Sequence, residues 1–228
     1  GDINGDGFDD IIVGSPTGDD GGADAGEANV LFGNSQGRAV VTSGTASAEL
    51  LIGTTGNDTL TGGGGADVFR GGTGNDTIMV ADLSFADIGG GNGSDTLRLA
   101  GADLTLNLAT MSPGEITSIE RIDLTGTGNN TLRLDQASVL SLSDSDMLVV
   151  NGNSGDNLQL VGTWTQGAAV SGATLINTLG ANYGFSASAT YVAYTQGTAT
   201  VYANNAFTTT TGVAPVVLDL NGDGVFST

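Results

Sequence analysis

The sequence predicts an all-β chain of stacked repeats. Three nine-residue units follow one another in strict period from Gly53 to Met79. Downstream, runs of four to six residues alternate apolar and polar side chains between Gly, Asn and Asp turns. Period-two alternation means strands, and its regular recurrence with no long helix between the runs points to a solenoid, with a β-sandwich as the competing architecture.

The units are Gly53–Thr61, Gly62–Arg70 and Gly71–Met79, and a fourth, Gly90–Arg98, follows an interruption at Val80–Gly89. Each fits G-G-x-G-x-D-x-U-x, where U is a large apolar residue two places after the aspartate. Glycine permits the positive φ of a tight turn and lets carbonyls converge on an ion, and the aspartate adds hard oxygen ligands. Leu60, Phe69, Ile78 and Leu97 then point inward from short strands.

On these units the chain resembles the RTX family, whose nonapeptides form a calcium-filled parallel β-roll. The resemblance implies Ca2+ ions held at Gly56, Asp58, Gly63, Gly65, Asp67, Gly72, Gly74, Asp76, Gly91, Gly93 and Asp95. Two units make one coil, so turns eighteen residues apart stack and Asp58 pairs with Asp76. Asp67 seeks a partner near residue 85, where the register breaks; either Asp87 or the displaced Asp95 completes its site.

Composition narrows the chemistry. Five Arg, no Lys and 25 Asp plus Glu give 5 − 25 = −20, a self-repulsion that bound divalent cations relieve. The same charge argues against nucleic acid as a partner. Without Cys, His or Lys, disulfides, common zinc sites, Ser-His-Asp triads, thiol nucleophiles and Schiff bases each lack a member. No signal peptide or membrane-inserting run is visible. A cysteine-free, calcium-rich chain suits the bacterial exterior. Because Gly1 falls inside a motif, the chain reads as a piece of a longer one.

At the amino end, Asp2, Asn4, Asp6, the Phe8 carbonyl and Asp10 match a calcium loop of the form D-x-N-x-D-G, with a strand following it in place of a helix. Residues 1–37 thereby resemble an FG-GAP repeat, one blade of an integrin-type propeller. Residues 38–52 read as a connector, with Leu50–Ile52 starting the first rung, 53–98 as the calcium roll and 99–163 as its continuation, with a short helix from Asp135 to Ser143 capped by the aspartate. Residues 116–134 resemble a segment that follows RTX repeats in very large secreted bacterial proteins. Trp164, Tyr183, Phe185, Tyr191, Tyr194 and Tyr202 mark 164–213 as a capping hairpin, or else a sugar-binding surface. Residues 214–228 carry a second calcium loop at Asp219, Asn221, Asp223 and the Val225 carbonyl.

These features predict a non-catalytic, calcium-binding structural or adhesive module, on the bacterial surface or outside the cell. Export through a type I system follows from the RTX resemblance. A self-assembling subunit of a filament or surface lattice is the alternative, with copies of itself, neighbouring modules or surface glycans as partners. A carbohydrate-active enzyme built on Glu27, Glu49, Glu115 or Glu120 is the third reading.

Overall fold

The computed structural model describes residues 11–15, 27–31 and 39–214. It divides into two units, Gly1–Arg38 and Ala39–Thr228. In the first, β1 (Ile11–Ser15) pairs antiparallel with β2 (Glu27–Leu31). The loops expected at Asp2–Asp10 and Asp219–Val225 lie outside the described residues.

The second unit is a succession of coils, each laid on the one before. The first coil comprises β3 (Val41–Ser43) and β4 (Leu50–Ile52), the second β5 (Thr59–Thr61) and β6 (Val68–Thr73), and the third β7 (Thr77–Val80) and β8 (Asp87–Asn92). Every strand pairs in parallel with its counterpart in the next coil, Val41 with Thr59, Thr59 with Thr77, Leu50 with Val68. Parallel pairing of like strands around one core is a solenoid and excludes the sandwich. The expected connector thus supplies the first coil.

A third face opens in the fourth coil, where β9 (Thr96–Leu99) is followed by β10 (Thr105–Asn107) and β11 (Ile116–Thr117). The fifth holds β12 (Arg121–Asp123), β13 (Thr131–Leu134) and helix α1 (Gln136–Leu142); the sixth holds β14 (Met147–Asn151) and β15 (Asn157–Val161). Helix α1 starts where Asp135 accepts the Ser138 amide at 2.8 Å, as its sequence predicts. It packs beside β11, the last strand of its sheet, with the Ile119 amide bonded to the Leu142 carbonyl. An exposed strand edge invites foreign pairing, and the helix covers this one.

Inward residues stack in columns set by the strand register. Leu60, Ile78, Leu97, Ile122 and Val150 line one face, and Leu51, Phe69, Ile88 and Ile116 the second. Leu106, Leu132 and Leu158 line the third. All are buried, and each contributes about 1.5–3 kcal/mol of apolar burial.

The far end is closed by β16 (Thr165–Ser171), helix α2 (Gly172–Leu179), β17 (Thr190–Gln196), β18 (Ala199–Asn204) and β19 (Thr208–Val213). Strands β17 and β18 form the antiparallel hairpin, turning at Gly197 with φ 56°. Trp164 and Tyr194 join the main core, and Phe185 and Tyr191 form a second cluster with Val149 and Leu175. These four aromatics are buried, so their rings pack the cap and present no sugar-binding face.

The third corner is held by amide chemistry. Asn130, fully buried, accepts the Leu104 amide at 2.8 Å through Oδ1 and donates through Nδ2 to the Gly101 and Leu124 carbonyls, each at 3.2 Å. Its own amide bonds Asp156 Oδ1 at 2.8 Å. Asn130→Ala strands the Leu104 amide and the Gly101 carbonyl, while the Leu124 carbonyl keeps the Gly126 amide at 2.7 Å, and we expect it to cost roughly 3 kcal/mol by urea unfolding in excess calcium. A loss below about 0.5 kcal/mol, the usual range of neutral surface changes, contradicts this assignment.

Candidate metal centre

Each coil turns at a corner where the residue two places ahead of an inward apolar side chain also faces inward, since side chains alternate along an extended chain. At one corner these residues are Asp58, Asp76, Asp95 and Glu120, two places before Leu60, Ile78, Leu97 and Ile122. Their carboxylates form a ladder. The Val40 amide donates to Asp58 Oδ1 at 2.6 Å, the Asp58 amide to Asp76 Oδ1 at 2.8 Å, the Asp76 amide to Asp95 Oδ1 at 2.7 Å, and the Asp95 amide to Glu120 Oε2 at 2.8 Å. None of the four is more than 6% exposed.

Glycine lets the turns approach. Gly72 sits at φ 110° beside the Thr54 carbonyl, so close that a methyl group there would overlap the oxygen. Gly74 stands in the same relation to the Gly56 carbonyl, and Gly91 and Gly93 to those of Gly72 and Gly74. Carbonyl oxygens of successive coils therefore line up along this edge, beside the carboxylate ladder.

The opposite corner carries a shorter ladder. The Glu49 amide donates to Asp67 Oδ1 at 3.0 Å, and Gly63 and Gly65 lie against the Thr45 and Ser47 carbonyls. The next turn here is Ala81–Ala86. One added residue makes Val68 pair with Asp87 and Thr77 with Thr96, nineteen positions on, so Ala86 takes the place of an aspartate. Asp82 enters from the turn, and a cavity of about 10 Å³ remains between Asp67, Asp82 and Gly62, Gly64 and Gly65. That is the room one small ion or water needs.

Burial of so many carboxylates is electrostatically unfavourable. Burial, with Asp58 nearby, pushes Asp76 up to about 6, and burial, with Asp76 and Glu120 nearby, pushes Asp95 up to about 7. Burial likewise raises Asp67 and Glu120. Among the described residues no arginine forms an ion pair with these four; the pairs present join Arg70 to Asp87 and Arg98 to Asp123. Oδ2 of Asp76 and Oδ2 of Asp95 are buried without any hydrogen-bond partner. Hard anionic oxygens, aligned carbonyls and absent counter-charge fit Ca2+, which would supply the missing positive charge.

Of the expected ligands, Asp58, Asp76 and Asp95 come together on one edge and Asp67 on the other. Asp95 continues the Asp76 ladder and Asp87 pairs with Arg70, so neither residue stands over Asp67. Glu49 and Glu120 join the ladders without lying in any of the four units read from the sequence, and Asp82, bonded to Ser84, lines the small cavity with Asp67. Spacing alone could have found Glu49 and Glu120, since each stands two places before an inward residue, Leu51 and Ile122. Asp82 has no such signal.

These stacked turns define a class, the calcium-binding repeat module built from nonapeptides. Residues 43–78 match the RTX calcium-binding nonapeptide repeat (4 copies), and residues 1–31 match the FG-GAP repeat. The chain therefore carries RTX repeats, which bind Ca2+, behind an FG-GAP repeat. No curated protein and no solved structure matches it.

The raised carboxylates set a pH dependence. Between about pH 4, where an unfolded aspartate titrates, and about 7, the folded metal-free chain binds more protons than the unfolded one, so its stability falls as pH rises. Calcium needs the deprotonated ligands, so in its presence stability rises over the same window. Melting temperatures in chelator and in calcium at about pH 5 and about pH 7.5 test both; parallel slopes would contradict the assignment.

Proposed function

We propose that this chain is a calcium-stiffened structural or adhesive module of a large secreted bacterial protein, which folds when it meets calcium outside the cell. The observation that carries the reading is the ladder of buried aspartates whose second oxygens, on Asp76 and Asp95, have no partner. Without cations these carboxylates repel one another across the stacked coils. Binding converts that repulsion into folding free energy, because the unfolded chain has no preformed site.

The rest of the chain supports the same reading. A net charge of −20 favours an expanded chain in calcium-poor surroundings, the state a type I exporter would pass. RTX repeats characterise secreted bacterial proteins, and no helix among the described residues is long and apolar enough to cross a membrane. The buried carboxylates of the roll, Glu120 among them, lie in ladders where each accepts a corner amide, and this favours a scaffold over an enzyme. The ligands we assign are Asp58, Asp76 and Asp95 on one edge and Asp67 on the other, where Asp82, not among the residues expected from the sequence, is added to it.

Self-assembly is the second reading, supported by Val41, Leu50 and Ile52, which are exposed on β3 and β4, the end strands of their sheets. Apolar residues on an open edge favour pairing with another chain. A strict monomer by light scattering, at high concentration in calcium, would remove this reading.

Circular dichroism during a calcium titration is the direct test. We expect a gain of β signal and of melting temperature, with Asp76→Asn raising the calcium midpoint about tenfold through loss of ligand charge and Asp87→Asn leaving it nearly unchanged. Equal folding with chelator and with calcium defeats the reading. Equal midpoints for the two variants defeat the ligand assignment.

A further inference from the structure

Every charged side chain of this protein lies outside residues 157–218. The acids and arginines stop at Asp156 and resume at Asp219, so the cap is electrically neutral in a chain of net charge −20. Burial does not account for this. Strand β16 and helix α2 leave Thr165, Gln166, Ala168, Ala169, Thr174 and Leu179 exposed, at positions where a solvent-facing surface ordinarily carries Lys, Arg, Asp or Glu.

The same region holds a free strand edge. Strand β16 ends the nine-stranded sheet, bonded to β17 on one side and to no strand on the other among the described residues. Val170 packs against the second aromatic cluster, and the rest of the strand is exposed. Its sequence, Thr-Gln-Gly-Ala-Ala-Val-Ser, lacks the charged residues and proline that commonly keep an edge single. Other end strands are guarded: α1 covers β11, and β4 follows directly on Glu49. Strand β19, also in the cap, offers four threonines and no comparable apolar run.

We infer that β16 is a pairing edge for a second copy of this chain, joining two caps about a two-fold axis into one continuous sheet. A two-fold axis lays an edge strand antiparallel on itself, so one sequence supplies both partners. Charge selects the face. Two chains of −20 repel wherever their acids meet, and residues 157–218 offer them a surface without any. Depletion of charge is also what distinguishes the core of an interface from the rest of a surface. The register shift between Gln166 and Ala169 bends the strand and keeps the pairing short. Because the edge is used up when two copies meet, the product is a closed dimer. The pairing is independent of the calcium reading of the roll and of β3, which lies at the other end of the nine-stranded sheet.

Sedimentation equilibrium of the full 228-residue chain in excess calcium tests the pairing. We expect a monomer–dimer equilibrium that tightens several-fold between about 0.05 and about 0.5 M salt, since screening removes repulsion between the copies and no interfacial ion pair is lost. Ala169→Asp sets like charges on the shared edge and should raise the dimer dissociation constant at least tenfold. Leu50→Asp, on β4, should leave it unchanged. Circular dichroism in calcium checks that each variant is folded, and Gln166→Glu, which adds one charge at nearly constant shape, carries the test if Ala169→Asp misfolds. The chain has no cysteine, so a spin label on Ala168→Cys reads the geometry: the dimer should give a short label-to-label distance, and a label on Val41→Cys should give none. A monomer at every concentration overturns the pairing and leaves the roll's calcium standing. A dimer that salt dissolves, one that Leu50→Asp weakens more than Ala169→Asp, or growth beyond the dimer overturns it equally.

Discussion

The whole solenoid depends on one contact, a side-chain oxygen from one coil accepting the backbone amide of the equivalent residue in the coil before it. Wherever the chain turns a corner its amide has no strand partner, and a buried unpaired amide costs about as much as a lost hydrogen bond. Asp58, Asp76, Asp95 and Glu120 solve this at one corner, Asp67 at the second, Asn130 and Asp156 at the third. The same solution creates the electrostatic problem, because the best short acceptor for a corner amide is a carboxylate, and stacking coils stacks the charges.

The three corners resolve that problem differently. On the long edge four acids follow one another with no side-chain amide or arginine between them, and calcium is the remaining source of opposite charge. On the second edge the run is broken after Asp67, where Ala86 takes the aspartate's place and Asp82 comes from the loop. At the third corner Asn130 stands directly before Asp156. Its amide group donates to two carbonyls where a carboxylate would need an ion, and Asp156 has both oxygens satisfied, by the Asn130 and Asn153 amides at 2.8 and 2.7 Å. Calcium demand is therefore concentrated in the early coils, and the coils nearer the cap close on hydrogen bonds.

Much of this was legible in the sequence because it is periodic. Spacing of eighteen placed Asp58 over Asp76, alternation placed Leu60, Phe69, Ile78 and Leu97 in the core, and the Asp135 cap marked α1. Three things were not legible. The one-residue addition in Val80–Gly89 leaves no local mark of where it is absorbed; the structure absorbs it in the turn, so strand register recovers by Asp87 and Asp95 joins the longer ladder. Strand β3 hides in 38–52 because Val41–Ser43 is three residues long, too short for a periodic signal. Asp82 acts through the folding of a loop, which no repeat specifies. The acids outside the four units read from the sequence show what the motif misses: the corner rule selects a position two before the inward residue, and Glu49 obeys it behind a turn with a single glycine, Gly44, and Glu120 with no glycine turn in front.

Glycine and acid therefore have separable roles, and this explains how the roll can end. The glycines admit carbonyls of neighbouring coils to close range, while the acid pairs the corner amide. Beyond Asp95 the glycines stop and the acid persists for one more coil as Glu120, so the corner is still paired although the turn above it is gone. At the coil after that, the equivalent position is Leu148, and the ladder passes to ordinary strand pairing, with the Val149 amide on the Glu120 carbonyl at 2.8 Å. Losing glycine, then charge, over two coils converts a calcium-binding roll into a conventional β-solenoid without interrupting the sheet. An abrupt end would have left the Asp95 amide unpaired in the core, and Glu120 is the residue that prevents it.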